Sequence, residues 1–373
     1  MPEPGLDVED LGRAAPFVRT DLAWGQILPP DAAASPKLRD LYRGCLLWGA
    51  VGDALGRPAE GRRPEALRKR YGDDDLARFQ PWRDYSGGPL GTITDDTQQT
   101  MLIAESYLAA NGRLDPDDVA SRLGDWLKVG RGKGKGTTAV LEMIKCDVPW
   151  REAAQRVNSS GNGAAMRAAP VGLRWALAPS PEPLARDAAL SALPTHAAPV
   201  GVLGATTIAL GVAWCLRQAL LEERFLDPES FLKFVVGSID GLEAEPSLER
   251  GPDGRKVRLA ERLAEIGGLL ATPDPAAVFA YLYNGAYALE SVPAAVYCFL
   301  RSPNDPAQVL LTAVYAGHDA DTVASMAGNL AGAWVGAQRL HEERPEWWEE
   351  LEYRDDLITL ADGLLGIALE DVR

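Results

Sequence analysis

Between Gly317 and Gly336, small residues recur every four positions at Ala324, Gly328, Gly332 and Gly336. That spacing returns to nearly the same side of an α-helix, so the stripe forms one face on which a second backbone can approach closely. A helix built this way must be buried against a partner. It is not a membrane signal, because Ser325 and Asn329 interrupt a short apolar run, and no stretch is expected to reach the roughly 18 apolar residues that a span needs.

Other segments carry the same period. In "SPKLRDLYRGCLLWGAVGDALG", Leu38, Leu41, Tyr42, Cys45 and Leu46 fall on one helical face behind Ser35 as cap and Pro36 in the first turn. In "DPDDVASRLGDWLKVG", Asp115 is the cap and Pro116 the first helical residue; Val119, Leu123, Trp126 and Leu127 form the face and Gly130 the stop. The Ala-rich segments 153–169, 186–220, 256–271, 276–300 and 322–340 have helical spacing without β-strand alternation. The expected fold class is therefore all-α. Residues 1–34, rich in Pro, Ala and acid, read as an N-terminal extension, partly disordered and either laid over the main body or dangling from it, ahead of one domain over 35–373.

Charge narrows the function classes. With 53 acidic against 38 basic residues and a net charge of −15, a broad grip on nucleic acid or an anionic membrane is not expected. Cys45, Cys146, Cys215 and Cys298 are dispersed without a CxxC pair or a zinc-type His spacing, which suits reduced thiols in the core. The N-terminal "MPEPGLDVEDLGR" lacks the basic and apolar regions of a secretion signal, so a cytoplasmic location is expected.

The stripe helix begins at Asp319, Asp321 and Thr322, and a second apolar-periodic helix begins at Thr94, Asp95 and Asp96. Each mouth alone has a simple reading, since Asp and Thr cap orphan amides at the positive end of a helix. Two such mouths suggest more. If they meet, four carboxylates and two hydroxyls converge, and their repulsion calls for cations. Oxygen-only donors favour hard ions, Mg²⁺ or Mn²⁺, over zinc.

Three further stretches accompany these mouths: "GAVGDALGRPAEG" with Asp53 and Glu60, "SSGNGAAMRAAP" with Ser159 to Gly163, and "PTHAAP" with Thr195 and His196. Together, over about residues 38–345, they resemble the ADP-ribosylglycohydrolase family, enzymes that release ADP-ribose from modified targets at a dinuclear metal centre. The resemblance implies a compact helical domain with two divalent cations at the floor of a cleft. Thr94, Asp95, Asp96, Asp319, Asp321 and Thr322 would be the metal ligands. Glu60, Asp95 and Asp96 would be catalytic, with Glu60 on a mobile loop, while Ser159, Ser160, Gly161, Asn162, Gly163 and His196 would bind substrate.

Asp53 fits better as a structural residue bonding local amides than as a ligand. Gly161 and Gly163 could free backbone amides for a pyrophosphate at a helix N-terminus, or simply form a turn. "GRGKGKGTT", residues 130–138, is not a P-loop, because Gly136 follows Lys135 where Ser or Thr is required. It is either a cleft wall or a flexible basic loop. His318 stands where family members often have Gly, and its imidazole would adjust access or bond a metal ligand. The stretch from Glu290, "ESVPAAVYCFLRSPND", resembles the O-linked branch, and that linkage is placed slightly ahead of N-linked arginine. A dinuclear phosphohydrolase and a non-catalytic ADP-ribose-binding protein are the alternatives, and the expected partner is an ADP-ribosylated protein or small ADP-ribose conjugate.

Overall fold

The computed structural model describes residues 8–29, 31–72, 75–81, 89–221, 225–245 and 256–371. Among these residues the regular structure is helical, with only two isolated bridges, Gly91 to Leu351 and Gly161 to Tyr287. At its centre the Lys37–Gly56 helix packs along the Ala320–Val335 helix. The small-residue stripe meets a complementary one. A methyl group on Gly52 would strike the Ala324 carbonyl, one on Gly328 the Trp48 carbonyl, and one on Gly332 the Gly44 carbonyl. At these crossings the two backbones touch directly, and at Gly49 the Asn329 side chain fills the space a methyl group would take. Gly336, the last member of the stripe, ends the helix in a left-handed conformation (φ 86°), which only glycine adopts without strain.

Around this pair stand the Asp95–Ala109, Pro199–Leu220, Ala288–Arg301 and Arg354–Glu370 helices. Contrary to the sequence expectation, Pro199–Leu220 is long and apolar enough to cross a membrane. Here protein covers it: every residue from Val200 to Leu220 is buried among neighbouring helices, so its apolarity on all sides reflects a central position.

One expected cap is in place and the other is shifted by a residue, with Pro36 and not Ser35 at the N-cap position. Asp115 accepts from the Asp117 amide with Pro116 opening its helix, and the Ser35 hydroxyl accepts from the Lys37 amide although the helix proper starts at Lys37. The long Ala-rich segments are cut where the sequence suggested continuity. Asn158 (φ 45°) and Tyr283 (φ 57°) turn the chain left-handed after the helices ending at Val157 and Leu282, and a Thr195–Ala198 break precedes Pro199. Alanine spacing conceals such breaks because Ala is compatible with either side of a turn. All three breaks contribute to the candidate site.

The described part of the extension is packed. Trp24 is buried, stacks on Phe234 at 5.7 Å and donates its indole N–H to the Ala178 carbonyl, while buried Asp10 pairs with Arg151 at 2.6 Å. Residues 1–7, to which the expected disorder also extends, lie outside the described residues. Cys45, Cys215 and Cys298 are buried free thiols as expected, but Cys146 is exposed.

Candidate active site

Asp53 organises the site. It projects from the last turns of the Lys37–Gly56 helix and accepts from the Thr94 amide (2.9 Å) and hydroxyl (2.7 Å) and the Thr97 amide (3.1 Å) and hydroxyl (2.5 Å). The structural role holds, but the amides are those of a helix 41 residues away in sequence, not local ones. A fully buried carboxylate thus caps the Asp95–Ala109 helix and holds its acidic mouth against the central pair. Thr94 shares its hydroxyl between Asp53 and Asp96, the latter at 3.2 Å.

The two mouths lie near enough for their charges to interact, but the tightest carboxylate group draws on only one of them. Carboxylate oxygens of Glu60, Asp319 and Asp321 lie within 4.8 Å of one another. Asp95 and Asp96 face them closely enough for charge to act between the sets. Burial pushes the Asp96 carboxyl well above its ordinary range, and Asp53, Asp95, Asp321 and Asp319 push it further. Burial also raises Asp95, followed by Asp53 and Asp319, with Arg57 opposing; Asp321 rises through burial and Asp319, again opposed by Arg57. Asp319 is pushed by burial up to about 6, against hydrogen bonds from Asn162 and Thr322. One Asp96 oxygen, Oδ1, is buried without a hydrogen-bond partner. Mutually repelling carboxylates with an unsatisfied buried oxygen acceptor fit a hard divalent cation.

Glu60 follows a 3-10 turn, Arg57–Ala59, that ends the central helix. Its loop is fastened on the far side: the Gly61 amide donates to the His318 carbonyl (2.7 Å), and the His318 amide to the Arg62 carbonyl (2.8 Å). His318 does this in a left-handed conformation, φ 54°, which is uncommon for a side-chain-bearing residue. The His318 ring lies against Tyr283, with ring centroids 4.8 Å apart and Nδ1 3.4 Å from the phenol oxygen.

The Ser159–Gly163 turn forms the adjoining wall. Asn162 donates from its side chain to Asp319 Oδ2 at 2.5 Å, joining the turn directly to the acid cluster. The turn is not at a helix N-terminus, since the next helix begins at Ala169, and two of its amides are already engaged: Gly161 donates to Ser159 Oγ and Asn162 to the Ala286 carbonyl. Ser159, Ser160, Gly161 and Gly163 are half-buried. Gly163 is required by close approach, because an added methyl would sit 2.9 Å from His196 Cε1. His196 itself is buried beneath the turn, in a chain from Arg167 through Thr195 Oγ1 (2.7 Å) to its Nδ1 (2.8 Å). Burial, then the Arg167 charge, lowers its pKa to about 3, so it is neutral.

The basic loop belongs to the wall. A methyl on Gly132 would lie 2.6 Å from an Asp95 oxygen and one on Gly136 2.5 Å from Ser159 Oγ, while Arg131 pairs with Glu352 at 2.6 Å. Sequence reasoning missed three contributors. These are Arg57, which pairs with Glu60 and lies 3.8 Å from Asp321, Asn284, whose carbonyl accepts from the Asp319 amide, and Glu352. Only Arg57 had a signal, its place inside the "GDALGRPAEG" stretch.

Comparisons with known proteins agree with this architecture. The family model described as ADP-ribosylglycohydrolase matches residues 34–371. The chain is 32% identical to human ADP-ribosylhydrolase ARH3, covering 87% of this chain and 92% of that one, and 31% identical to the mouse protein, covering 87% and 90%. An uncharacterized protein of Archaeoglobus fulgidus is 32% identical over 90% of this chain and 99% of its own. Among solved structures, one titled ADP-ribosylglycohydrolase-related protein complex superposes with a TM-score of 0.64 at 27% identity, covering 90% of this chain and all of that one. With its helical core, neighbouring acidic mouths and end-to-end family match, this chain belongs to the ADP-ribosylglycohydrolase family and is a glycosidic-bond hydrolase.

Proposed function

We propose that the protein hydrolyses α-ADP-ribosyl bonds of proteins or small conjugates with Mg²⁺ or Mn²⁺, and that O-linked substrates are preferred over N-linked arginine. The observation that carries this reading is the convergence of Glu60, Asp319 and Asp321 within 4.8 Å, opposite the buried Asp95 and Asp96. Asp95, Asp96, Asp319 and Asp321, with the Thr94 and Thr322 hydroxyls, would hold two divalent cations. Bound there, the cations supply Lewis-acid polarisation of substrate oxygens and lower the pKa of water.

The chain's own groups do the rest. Asn162 fixes the orientation of Asp319, and Asp53 holds the opposing mouth in place. The Ser159–Gly163 turn forms a half-buried polar wall for ADP-ribose, with neutral His196 supporting it from below. In the reaction the C1″–O bond to the target breaks, water supplies the hydroxyl that replaces it on C1″, and the leaving oxygen takes a proton. Glu60, beside the cluster on a fastened loop, is the group placed to handle that proton. Relatives named ADP-ribosylhydrolase support cleavage of an ADP-ribosyl bond, and the stretch from Glu290 supports the O-linked preference. The free cysteines and acidic balance suit a cytoplasmic setting.

A panel of ADP-ribosyl-serine, ADP-ribosyl-arginine and O-acetyl-ADP-ribose, assayed with Mg²⁺, Mn²⁺ or chelator, tests each element. Free ADP-ribose released only with metal, fastest from the O-linked substrates, is the expected result. Release of AMP or phosphate would instead indicate a phosphohydrolase, and tight ADP-ribose binding without turnover on any substrate would indicate a reader.

A further inference from the structure

Arg57 is the last feature of the site without a role. Its guanidinium pairs through Nη1 with Glu60 and lies 3.8 Å from Asp321 Oδ2, so one cation touches two of the three carboxylates in the tight cluster. The arrangement differs from an ordinary helix-surface pair. Lys128 and Asp125, also three residues apart, are 68% and 76% exposed, whereas the Arg57 and Glu60 side chains are 16% and 36% exposed and that of Asp321 5%. An exposed pair contributes little, but a charge held in a sheltered acidic pocket interacts strongly with every ion there.

The backbone directs Arg57 into this position. A methyl on Gly56 would strike the Asp321 backbone, so the chain before Arg57 is pressed directly onto the start of the Ala320–Val335 helix. The tight Arg57–Ala59 turn then brings Glu60 back over the same place, and the Gly61–His318 and His318–Arg62 hydrogen bonds hold it there. Arginine and glutamate therefore enter the pocket from one short, fixed turn.

We propose that Arg57 is a resident counter-ion of the acid cluster, a positioning residue that holds Glu60 against Asp321 and competes with divalent metal for those carboxylates. The inference rests on the metal-centre reading above. A positive guanidinium beside Asp321 repels an incoming divalent ion, so metal affinity is set below what the carboxylates alone would give, and occupation of the cluster loosens the hold on Glu60.

Calorimetric titration of the full-length protein with Mn²⁺, and separately with Mg²⁺, tests this on wild type, Arg57→Gln and Arg57→Lys. Removal of the charge in Arg57→Gln is expected to tighten metal binding by about tenfold or more, and Arg57→Lys to restore affinity to within about threefold of wild type. A purely structural role for Arg57 predicts no gain in affinity for the neutral variant. Equal or weaker binding by folded Arg57→Gln overturns the proposal while leaving the metal centre intact; absence of binding by wild type overturns the metal centre itself. If Arg57→Gln is too unstable to titrate without metal, its thermal midpoint is followed against Mn²⁺ concentration. A larger metal-induced rise than in wild type supports the proposal, and an equal or smaller rise overturns it.

Discussion

Glu60 and His196 show two ways in which single residues serve this site. Glu60 stands at the acid cluster on a turn outside any α-helix, and Gln replaces its carboxylate with a neutral group of the same shape. Glu60→Gln is expected to lower kcat by about 10²–10⁴-fold with KM little changed, the usual range for loss of general acid or base assistance. Single-turnover rates at saturating substrate and metal check this, and a near-wild-type rate would remove Glu60 from the chemical step. His196 works through burial. Its folded pKa of about 3 lies below the ordinary 6.5, so the unfolded chain binds its proton first as pH falls. The stability derived from neutral His196 is complete above pH 6.5 and is lost as pH drops towards 3, at up to about 1.4 kcal/mol per pH unit. Denaturant melts of wild type and His196→Gln across that window should show the advantage of wild type shrinking with acid. A pH-independent difference would mean that the imidazole is not held neutral.

At the scale of elements, the Lys37–Gly56 and Ala320–Val335 helices depend on glycines that let their backbones touch. Their contact also sets the distance between Asp53, which caps the first acidic mouth, and Asp321, which lies in the second. Gly332→Val has no room, since even a single methyl would overlap the Gly44 carbonyl. The variant should be destabilised by about 1–3 kcal/mol or more, read as a lower urea midpoint. Activity per folded molecule should fall as well, because separating the helices also separates the two mouths. A variant with unchanged stability would show that the helices pack less closely than these contacts require. The stripe on the later helix was legible as a four-residue spacing. Its partner was not, because Gly44, Gly49, Gly52 and Gly56 are interleaved with the bulky residues that made the earlier helix look like an ordinary amphipathic one.

For the whole molecule, the described part of the N-terminal extension is a clamp remote from the chemistry. Trp24 fills a site between Ala178 and Phe234, Arg217 lies over its ring at 4.5 Å, and Asp10 reaches Arg151. None of these residues touches the acid cluster. A chain starting at Ser35 should therefore retain metal-dependent turnover at low temperature but lose several kcal/mol of stability, since removal of a buried Trp alone costs about 3–5 kcal/mol. Thermal melts alongside initial rates separate the two effects. A truncated protein that melts like wild type but no longer turns over would place part of the site in the extension.

The helical class, the caps, the small-residue face and the two acidic mouths are all local properties, set by periodicity and by what Asp, Thr, Pro and Gly do to a nearby backbone. They could be read without the fold, as could the family. Three things required the tertiary structure. Asp53 found its amides on a distant helix because a buried carboxylate takes whatever donors packing brings to it. The alanine-rich segments broke at Asn158, Thr195–Ala198 and Tyr283 because core contacts, to which alanine is indifferent, decide where those helices stop. Arg57 became part of the acid cluster because the reach of a long, flexible cation is decided by the charges assembled around it, and those come from segments more than 200 residues apart.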